Sequence, residues 1–128
     1  EENGGPLSAL GNALQFGVAN NAVAIIMIAC DMPLLPDDLL QRFGPNDGRV
    51  KIAASAGQLH PACAQWPVRA IDELAIYRQT GRRSLRGFAD HIGYDCVDWP
   101  IISHDPFFNI NQPADLAQAE SLLKMLGR

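Results

Sequence analysis

The order of apolar segments along the 128-residue chain predicts an α/β domain with a mostly parallel sheet that also carries an antiparallel hairpin. Segments with helical spacing of apolar residues alternate with short runs rich in β-branched residues. A turn at Gly57-Gln58 joins two strands directly, which predicts the hairpin. The length suits one domain that comprises residues 1–128.

The first third of the chain is predicted to form a helix, a strand and a second helix. Pro6 suits the first helical position, and the helix that follows ends at Asn20. Four apolar residues share one face of this helix: Leu7, Leu10, Leu14 and Val18. The continuous apolar run 22–29 predicts a strand covered on both faces, like the central strands of parallel sheets, with a buried helix as the competing interpretation. A helix is predicted to start near Pro36.

The remaining elements are predicted from turn residues and apolar spacing. They are strands over 50–55 and 59–66, helices over 67–80 and 84–92, a strand over 94–99 and a helix over 113–126. In the last helix the residues expected to face inward are Leu116, Ala119, Leu123 and Leu126.

Charge and composition argue against several classes of protein. The net charge is −4 and basic residues form no block, which argues against a nucleic-acid partner. The longest apolar run is too short to cross a bilayer and no signal peptide is recognisable, so we expect no membrane partner and a cytoplasmic protein. Cys30, Cys63 and Cys96 lie far apart without a CxxC pattern, which predicts buried free thiols rather than a disulfide framework or a zinc site.

Asp31 is the strongest single candidate for a functional residue. It directly follows the predicted strand, and ligands of open α/β sheets bind beyond the carboxyl ends of the strands. A carboxylate there needs a partner, and Mg²⁺ bridging nucleotide phosphates is one. A helix cap or an Asx-turn is an equally supported alternative.

Polar residues in two other segments are weaker candidates. His60-Pro61 lies on the return strand of the hairpin, where proline predicts an edge or a bulge; His60 then binds a ligand or is a structural polar residue. Asn109 and Asn111 alternate around Ile110, so both amides can grip a heterocycle or phosphate, with N-capping by Asn111 as the simpler alternative.

Arg82 and Arg83 follow the predicted end of a helix at Gly81. Two guanidinium groups in this position can hold a phosphate. The alternative is that both arginines lie in solvent beside the negative end of the helix.

Five segments together are more specific than any one of them. In order, they are GGPLSAL, CDMPLLP, GQLHPACAQWP, GRRSLRGF and FFNINQPADL. Their order and spacing resemble the molybdenum cofactor guanylyltransferases (the molybdopterin-guanine dinucleotide synthesis protein A family) over nearly the whole chain. Enzymes that transfer CMP to the same pterin share the DMP-type strand end, whereas the HPxxAxW and FFNIN segments look more like the guanylyl branch.

The resemblance implies a Rossmann-like nucleotidyltransferase sheet and transfer of GMP from GTP to molybdopterin, with Mg²⁺ as cofactor. It implies that Asp31 is the catalytic, metal-binding aspartate beside the GTP phosphates. Gly5, Pro6 and Leu7 match the segment that lines the nucleotide side. The pterin-facing side is matched by His60, Pro61, Asn109 and Asn111, and less tightly by Arg82 and Arg83.

The sequence departs from the family in lacking its glycine-rich phosphate loop, of the LAGGxSxRMGxDK kind. That loop would hold the triphosphate. We therefore expect residues 1–128 to be the C-terminal portion of one nucleotidyltransferase domain, incomplete at the N-terminus, inactive alone, and prone to self-association through its open sheet edge. The alternatives are a cytidylyltransferase-like enzyme, or a non-catalytic fragment that binds pterin, a molybdoenzyme or a cofactor-insertion partner.

Overall fold

One four-stranded sheet organises the computed structural model, which describes residues 5–29, 31–101, 104–108, 110 and 112–126. The strands are β1 (Ala24–Met27), β2 (Val50–Ser55), β3 (Gln58–Pro67) and β4 (Tyr94–Trp99). The helices are α1 (Pro6–Ala19), α2 (Leu39–Phe43), α3 (Ala70–Arg78), α4 (Leu85–Ile92) and α5 (Pro113–Met125).

The sheet is mixed and has the order β1-β3-β2-β4. Strands β1, β2 and β4 run in one direction, and β3 runs against them between β1 and β2. The α/β prediction and the antiparallel hairpin are thereby confirmed. Because three strands share a direction, their carboxyl ends meet at one edge of the sheet.

The position of β1 differs from the prediction. It lies at the edge of the sheet, so its expected place as a central strand is wrong. Residues on both of its faces pack against a core, Ile25 and Met27 on one face and Ile26 on the other. Within the described part of the chain, no strand pairs with its outer side. A continuous apolar run reports that both faces of a strand are apolar, but it carries no information on how many strands lie beside it.

Each face of the sheet contributes to a separate core. The first, here called the helix-side core, is formed by α1, α3 and α4 against the sheet and includes Leu10, Ile52, Trp66, Tyr77 and Phe88. The second, here called the loop-side core, is formed by α2 and two loops and includes Met32, Phe43, Cys63, Trp99 and Phe107.

Local signals place the ends of α1, α4 and α5 within one residue of the prediction, whereas α2 and α3 begin three residues later than predicted. Ser84 caps α4 as a Ser at this position should, accepting a hydrogen bond from the backbone N–H of Gly87 at 2.8 Å. The helix expected near Pro36 begins only at Leu39. In α5, Ala119 is the buried residue of the helix while Leu116 is 49 % exposed, so the predicted inward face is largely wrong.

The helix-side core allows no side chain at Gly87. A Cβ atom there would lie 2.3 Å from the hydroxyl oxygen of Tyr77 and 2.6 Å from that of Ser84. We expect Gly87→Ala to lower the free energy of unfolding by about 2 kcal/mol, because the buried Tyr77 ring and the Ser84 cap must both move. Urea denaturation followed by circular dichroism measures this change.

Gly11→Ala is the matched control for that substitution. It also adds one methyl group inside a helix, but its nearest neighbour is the flexible end of Arg78 at 3.3 Å. The better helix propensity of alanine should leave the protein unchanged or more stable by up to about 1 kcal/mol. Equal losses in both variants would contradict the packing described for Gly87.

The thiols should differ sharply in reactivity. Cys63 is buried and burial raises its pKa to about 12, whereas Cys96 is exposed, contrary to the prediction that all three thiols are buried. At pH 8 the Cys63 thiolate fraction is then about one in ten thousand. In a Cys30→Ser background we expect a thiol reagent to label one cysteine in the native protein and two after denaturation. Mass spectrometry identifies the labelled residue, and rapid native labelling of Cys63 would contradict its burial.

Candidate functional site at the carboxyl edge of the sheet

A β-bulge at Pro61 turns His60 toward the loop-side core. Ile52 of β2 pairs with Ala64, but the next residue, Ala53, pairs with His60, so residues 61–63 are bulged out. Proline has no N–H to donate to the ladder, which explains why the pairing is interrupted here, and the predicted bulge is confirmed. Because an odd number of residues is bulged out, the alternation of side chains reverses, and His60 faces the side opposite to Ala64.

A chain of hydrogen bonds fixes His60 and the loop that faces it. Ser55, the last residue of β2, is almost fully buried, and its Oγ lies 2.7 Å from Nε2 of His60. The same hydroxyl donates to Oδ1 of Asp105 at 2.8 Å. Oδ1 of Asp105 also accepts the backbone N–H of Phe107 at 2.9 Å. Three segments are thus tied together at the carboxyl edge.

The ring of His60 stacks on Phe107, with ring centres 4.8 Å apart. Burial lowers the pKa of His60 below its usual value, and the nearby Asp105 carboxylate opposes this shift only partly. The neutral imidazole is therefore favoured near pH 7.

Trp99 at the end of β4 supports Phe107 from the other side, edge to face at 5.2 Å. Its indole N–H donates to Asp38 at 2.9 Å, and Arg42 also bonds that carboxylate. These two contacts lower the pKa of Asp38 below 3.8, so its contribution to stability is present above that pH and is lost as the pH falls further.

Asp31 lies at the same edge, four residues after the end of β1. Its backbone carbonyl accepts the N–H of Ile110 at 2.9 Å, which joins it to the loop that carries Phe107. Its Oδ1 atom is buried and has no hydrogen-bond partner among the described residues. Neither local alternative accounts for the side chain, because the N-cap position of α2 is Asp38 and Pro33 has no N–H for an Asx-turn.

The other predicted site residues fall into two groups. Gly5 and Pro6 are exposed at the N-terminus of α1, but the side chain of Leu7 is buried in the helix-side core. Arg82 and Arg83 are exposed after α3, and the guanidinium of Arg82 lies over the ring of Tyr77 at 5.7 Å. The roles assigned to all five remain predictions.

Asn109 and Asn111 lie outside the described residues, and their predicted role stays a prediction. The N-cap of α5 is Gln112, whose backbone N–H bonds the carboxylate of Asp115. Within the described ranges, no three His, Cys, Asp or Glu side chains come close enough to form a metal site by themselves. No helix in those ranges combines the length and hydropathy needed to cross a membrane.

Sequence reasoning missed Ser55 and Asp105. Ser55 precedes a hairpin turn and Asp105 precedes a proline, so both residues are typical of turns. Their separation of 50 positions hides the bond between them. A small polar residue after the apolar run Ile52-Ala53-Ala54 at the end of the strand was the available signal.

Comparison with known proteins identifies the family. The model of the MobA-like NTP transferase domain matches residues 1–93. The molybdenum cofactor guanylyltransferase of Cereibacter sphaeroides is 36 % identical over 121 residues, which cover 94 % of this chain and 62 % of that protein. The corresponding protein of Bradyrhizobium sp. is 36 % identical over 132 residues, covering 97 % and 62 %. The chain thus spans about three fifths of the length of these curated relatives.

Two solved structures share the fold. Molybdopterin-guanine dinucleotide biosynthesis protein A from Archaeoglobus fulgidus has a TM-score of 0.70 at 23 % identity, covering 94 % of this chain and 64 % of that one. A putative protein from Aquifex aeolicus has the same TM-score at 16 % identity, covering 83 % and 56 %. From the matched domain and the sequence identity of its relatives, we conclude that the chain belongs to the MobA-like NTP transferase domain family.

Proposed function

We propose that the chain forms the metal- and pterin-binding part of a nucleotidyltransferase that transfers GMP from GTP to molybdopterin. Membership of the family and the names of its relatives support nucleotidyl transfer in molybdenum cofactor synthesis. The choice of GTP, molybdopterin and Mg²⁺, and a cytoplasmic location, are parts of the proposal.

The unsatisfied Oδ1 of Asp31 is the observation that carries this proposal. A buried carboxylate oxygen without a hydrogen-bond partner is costly and is kept where a ligand supplies the missing interaction. Mg²⁺ suits this donor set, because it is commonly held by one or two carboxylates together with phosphate oxygens and waters. A site with one protein carboxylate also agrees with the lack of a three-residue cluster among the described residues.

In the proposed reaction, a phosphate oxygen of molybdopterin attacks the α-phosphorus of GTP. A phosphorus–oxygen bond forms to give a P–O–P diphosphate linkage, as the bond between the α-phosphorus and the pyrophosphate leaving group breaks. Asp31 would hold Mg²⁺, which would supply a Lewis acid for the charge that develops on the phosphates. The attacking oxygen is already anionic, so the chain needs no strong general base, and His60 is free to bind substrate.

Asp31→Asn should separate a ligand role from a structural role. If Asp31 binds a metal, losing its charge should leave the metal-free protein unchanged or more stable by up to about 1 kcal/mol. A capping role would also leave the stability nearly unchanged, because asparagine caps a helix about as well as aspartate. The two roles therefore differ in the response of the protein to the metal. We also expect millimolar Mg²⁺ with GTP to raise the melting temperature of the unsubstituted chain but not of Asp31→Asn, as measured by calorimetry.

Asp98→Asn is the matched control, because it removes one carboxylate from an exposed position in β4. It should keep the response to Mg²⁺ and GTP. Calorimetric titration with Mg-CTP in place of Mg-GTP tests the cytidylyl alternative, which tighter binding of CTP would favour. Equal responses of the unsubstituted chain and Asp31→Asn would overturn the metal assignment.

Turnover is the direct test of the activity. In a protein that also carries the phosphate loop, Asp31→Asn should slow GMP transfer by about 100- to 1,000-fold, the usual effect of removing one charge-stabilising group. Transfer by the 128-residue chain alone would contradict the expectation that it is inactive and would also exclude the non-catalytic alternatives.

Self-association through β1 is a further part of the proposal. Val23 and Ile28, which flank the strand, are 76 % and 48 % exposed. Lysine at an edge strand opposes pairing with a second copy, so Val23→Lys with Ile28→Lys should shift a dimer toward monomer. Ile76→Lys changes an exposed position on α3 and is the control. Analytical ultracentrifugation measures the effect, and an unsubstituted chain that stays monomeric would exclude self-association.

A further inference from the structure

The contacts of Ser55 determine which nitrogen of His60 carries the proton. A serine hydroxyl has one hydrogen to donate, and a carboxylate can only accept. Because Ser55 donates to Asp105, its hydroxyl hydrogen is not available for the 2.7 Å contact with His60. The hydrogen in that contact must therefore come from Nε2 of His60, and Ser55 accepts it.

We propose that Ser55 and Asp105 hold His60 as the Nε2–H tautomer, so that its Nδ1 accepts a hydrogen bond from an N–H group of the substrate heterocycle. Ser55 and Asp105 are then positioning residues, and His60 determines specificity. The assignment of the tautomer stands on the geometry of this chain alone. The identity of the ligand rests on the proposed function.

The direction of the hydrogen bond decides which end of the substrate His60 can bind. A neutral imidazole that offers a lone pair repels the oxygens of an ionised phosphate, which are acceptors themselves. A pterin offers amino and ring N–H donors. Phe107 is itself buried and stacks against His60, so it holds the imidazole in place and leaves the lone pair of Nδ1 as the group that selects an N–H donor.

The same bonds position the loop that reaches Asp31. Asp105 accepts from both Ser55 and the backbone of Phe107, and the N–H of Ile110 in the same loop bonds the carbonyl of Asp31. The lowered pKa of His60 agrees with the neutral imidazole that this arrangement requires. Loss of the Ser55 hydroxyl should therefore change the tautomer of His60 directly, and the position of the loop only through Asp105.

Nitrogen-15 NMR of the histidine side chains tests the tautomer in the intact chain. At a pH above the pKa of His60, we expect its Nε2 to resonate as a protonated nitrogen and its Nδ1 as an unprotonated one. Ser55→Ala should move both resonances toward a mixture of tautomers. His91, which lies on α4 beside Glu73, is the internal control and should not change. A proton on Nδ1 in the unsubstituted chain would overturn the proposal even if Ser55→Ala fails to fold.

Fluorescence titration with free pterin, and calorimetric titration with inorganic phosphate, test the ligand. His60→Phe keeps an aromatic ring against Phe107 but has no acceptor, so pterin affinity should fall roughly five- to tenfold. Ser55→Ala should weaken pterin by about threefold, and phosphate affinity should stay unchanged in both variants. The matched control, His91→Phe, should alter neither affinity.

The outcomes separate this inference from the proposed function. Weaker phosphate binding with unchanged pterin binding in His60→Phe would overturn the assignment of His60 to the heterocycle. If NMR shows the Nε2–H tautomer but the chain binds no pterin, the identity of the ligand would be wrong. The role of Ser55 and Asp105 in positioning His60 would stand. If Asp31 does not bind a metal, Asp31→Asn would respond to Mg²⁺ and GTP as the unsubstituted chain does. The NMR result and the pterin affinities for His60 would then be unchanged.

Discussion

The bulge at Pro61 is the constraint on which the site depends. β3 is central in the sheet and pairs with β2 on both sides of residue 61, yet proline offers no N–H to the ladder. The interrupted pairing reverses the alternation of side chains along one strand. Leu59 therefore packs with the helix-side core while His60 reaches Phe107 on the other face. A regular strand would direct His60 toward the helix-side core, whose buried members are hydrophobic, and an unpaired imidazole there would be costly.

The polar groups on the loop-side face of the sheet differ in whether they have hydrogen-bond partners. Ser55 and Asp105 satisfy each other and hold His60. Asp31, only one loop away, keeps a buried oxygen without a partner in the described part of the chain. A network optimised only for stability would satisfy both carboxylates, and the contrast is typical of positions kept for a ligand.

The positions of individual strands and helix ends could be predicted from the sequence, whereas the order of the strands in the sheet could not. Strands β2 and β4, the start of α1 at Pro6 and the cap of α4 at Ser84 follow from short-range rules, and the structure has them where expected. The edge position of β1 depends on where a strand 30 or more residues later inserts, as the pairing of Ala24 with Pro67 illustrates.

The residues of the candidate site also differ in how far the sequence indicates them. The place of Asp31 at the carboxyl edge could be predicted because the end of an apolar strand is recognisable in the sequence. His60 could be suggested only as a polar residue beside a proline, because its orientation depends on the bulge and on Ser55. Asp105 carries no local signal, since its role exists only through a hydroxyl 50 residues away.

Asp31 and His60 contact the same loop but offer different chemistry to a ligand. The carboxylate of Asp31 is suited to a cation and, through it, to anionic phosphates. His60, held by the buried Phe107, offers a neutral acceptor, which suits an N–H donor of a heterocycle and disfavours an anion. A substrate with a phosphate at one end and a flat heterocycle at the other can use both sides together, and this division supports a phosphate-bearing pterin as the acceptor of the nucleotide. The bond from Ile110 to Asp31 joins the two sides, so the proposed sites for the heterocycle and the metal are joined through the backbone of one loop.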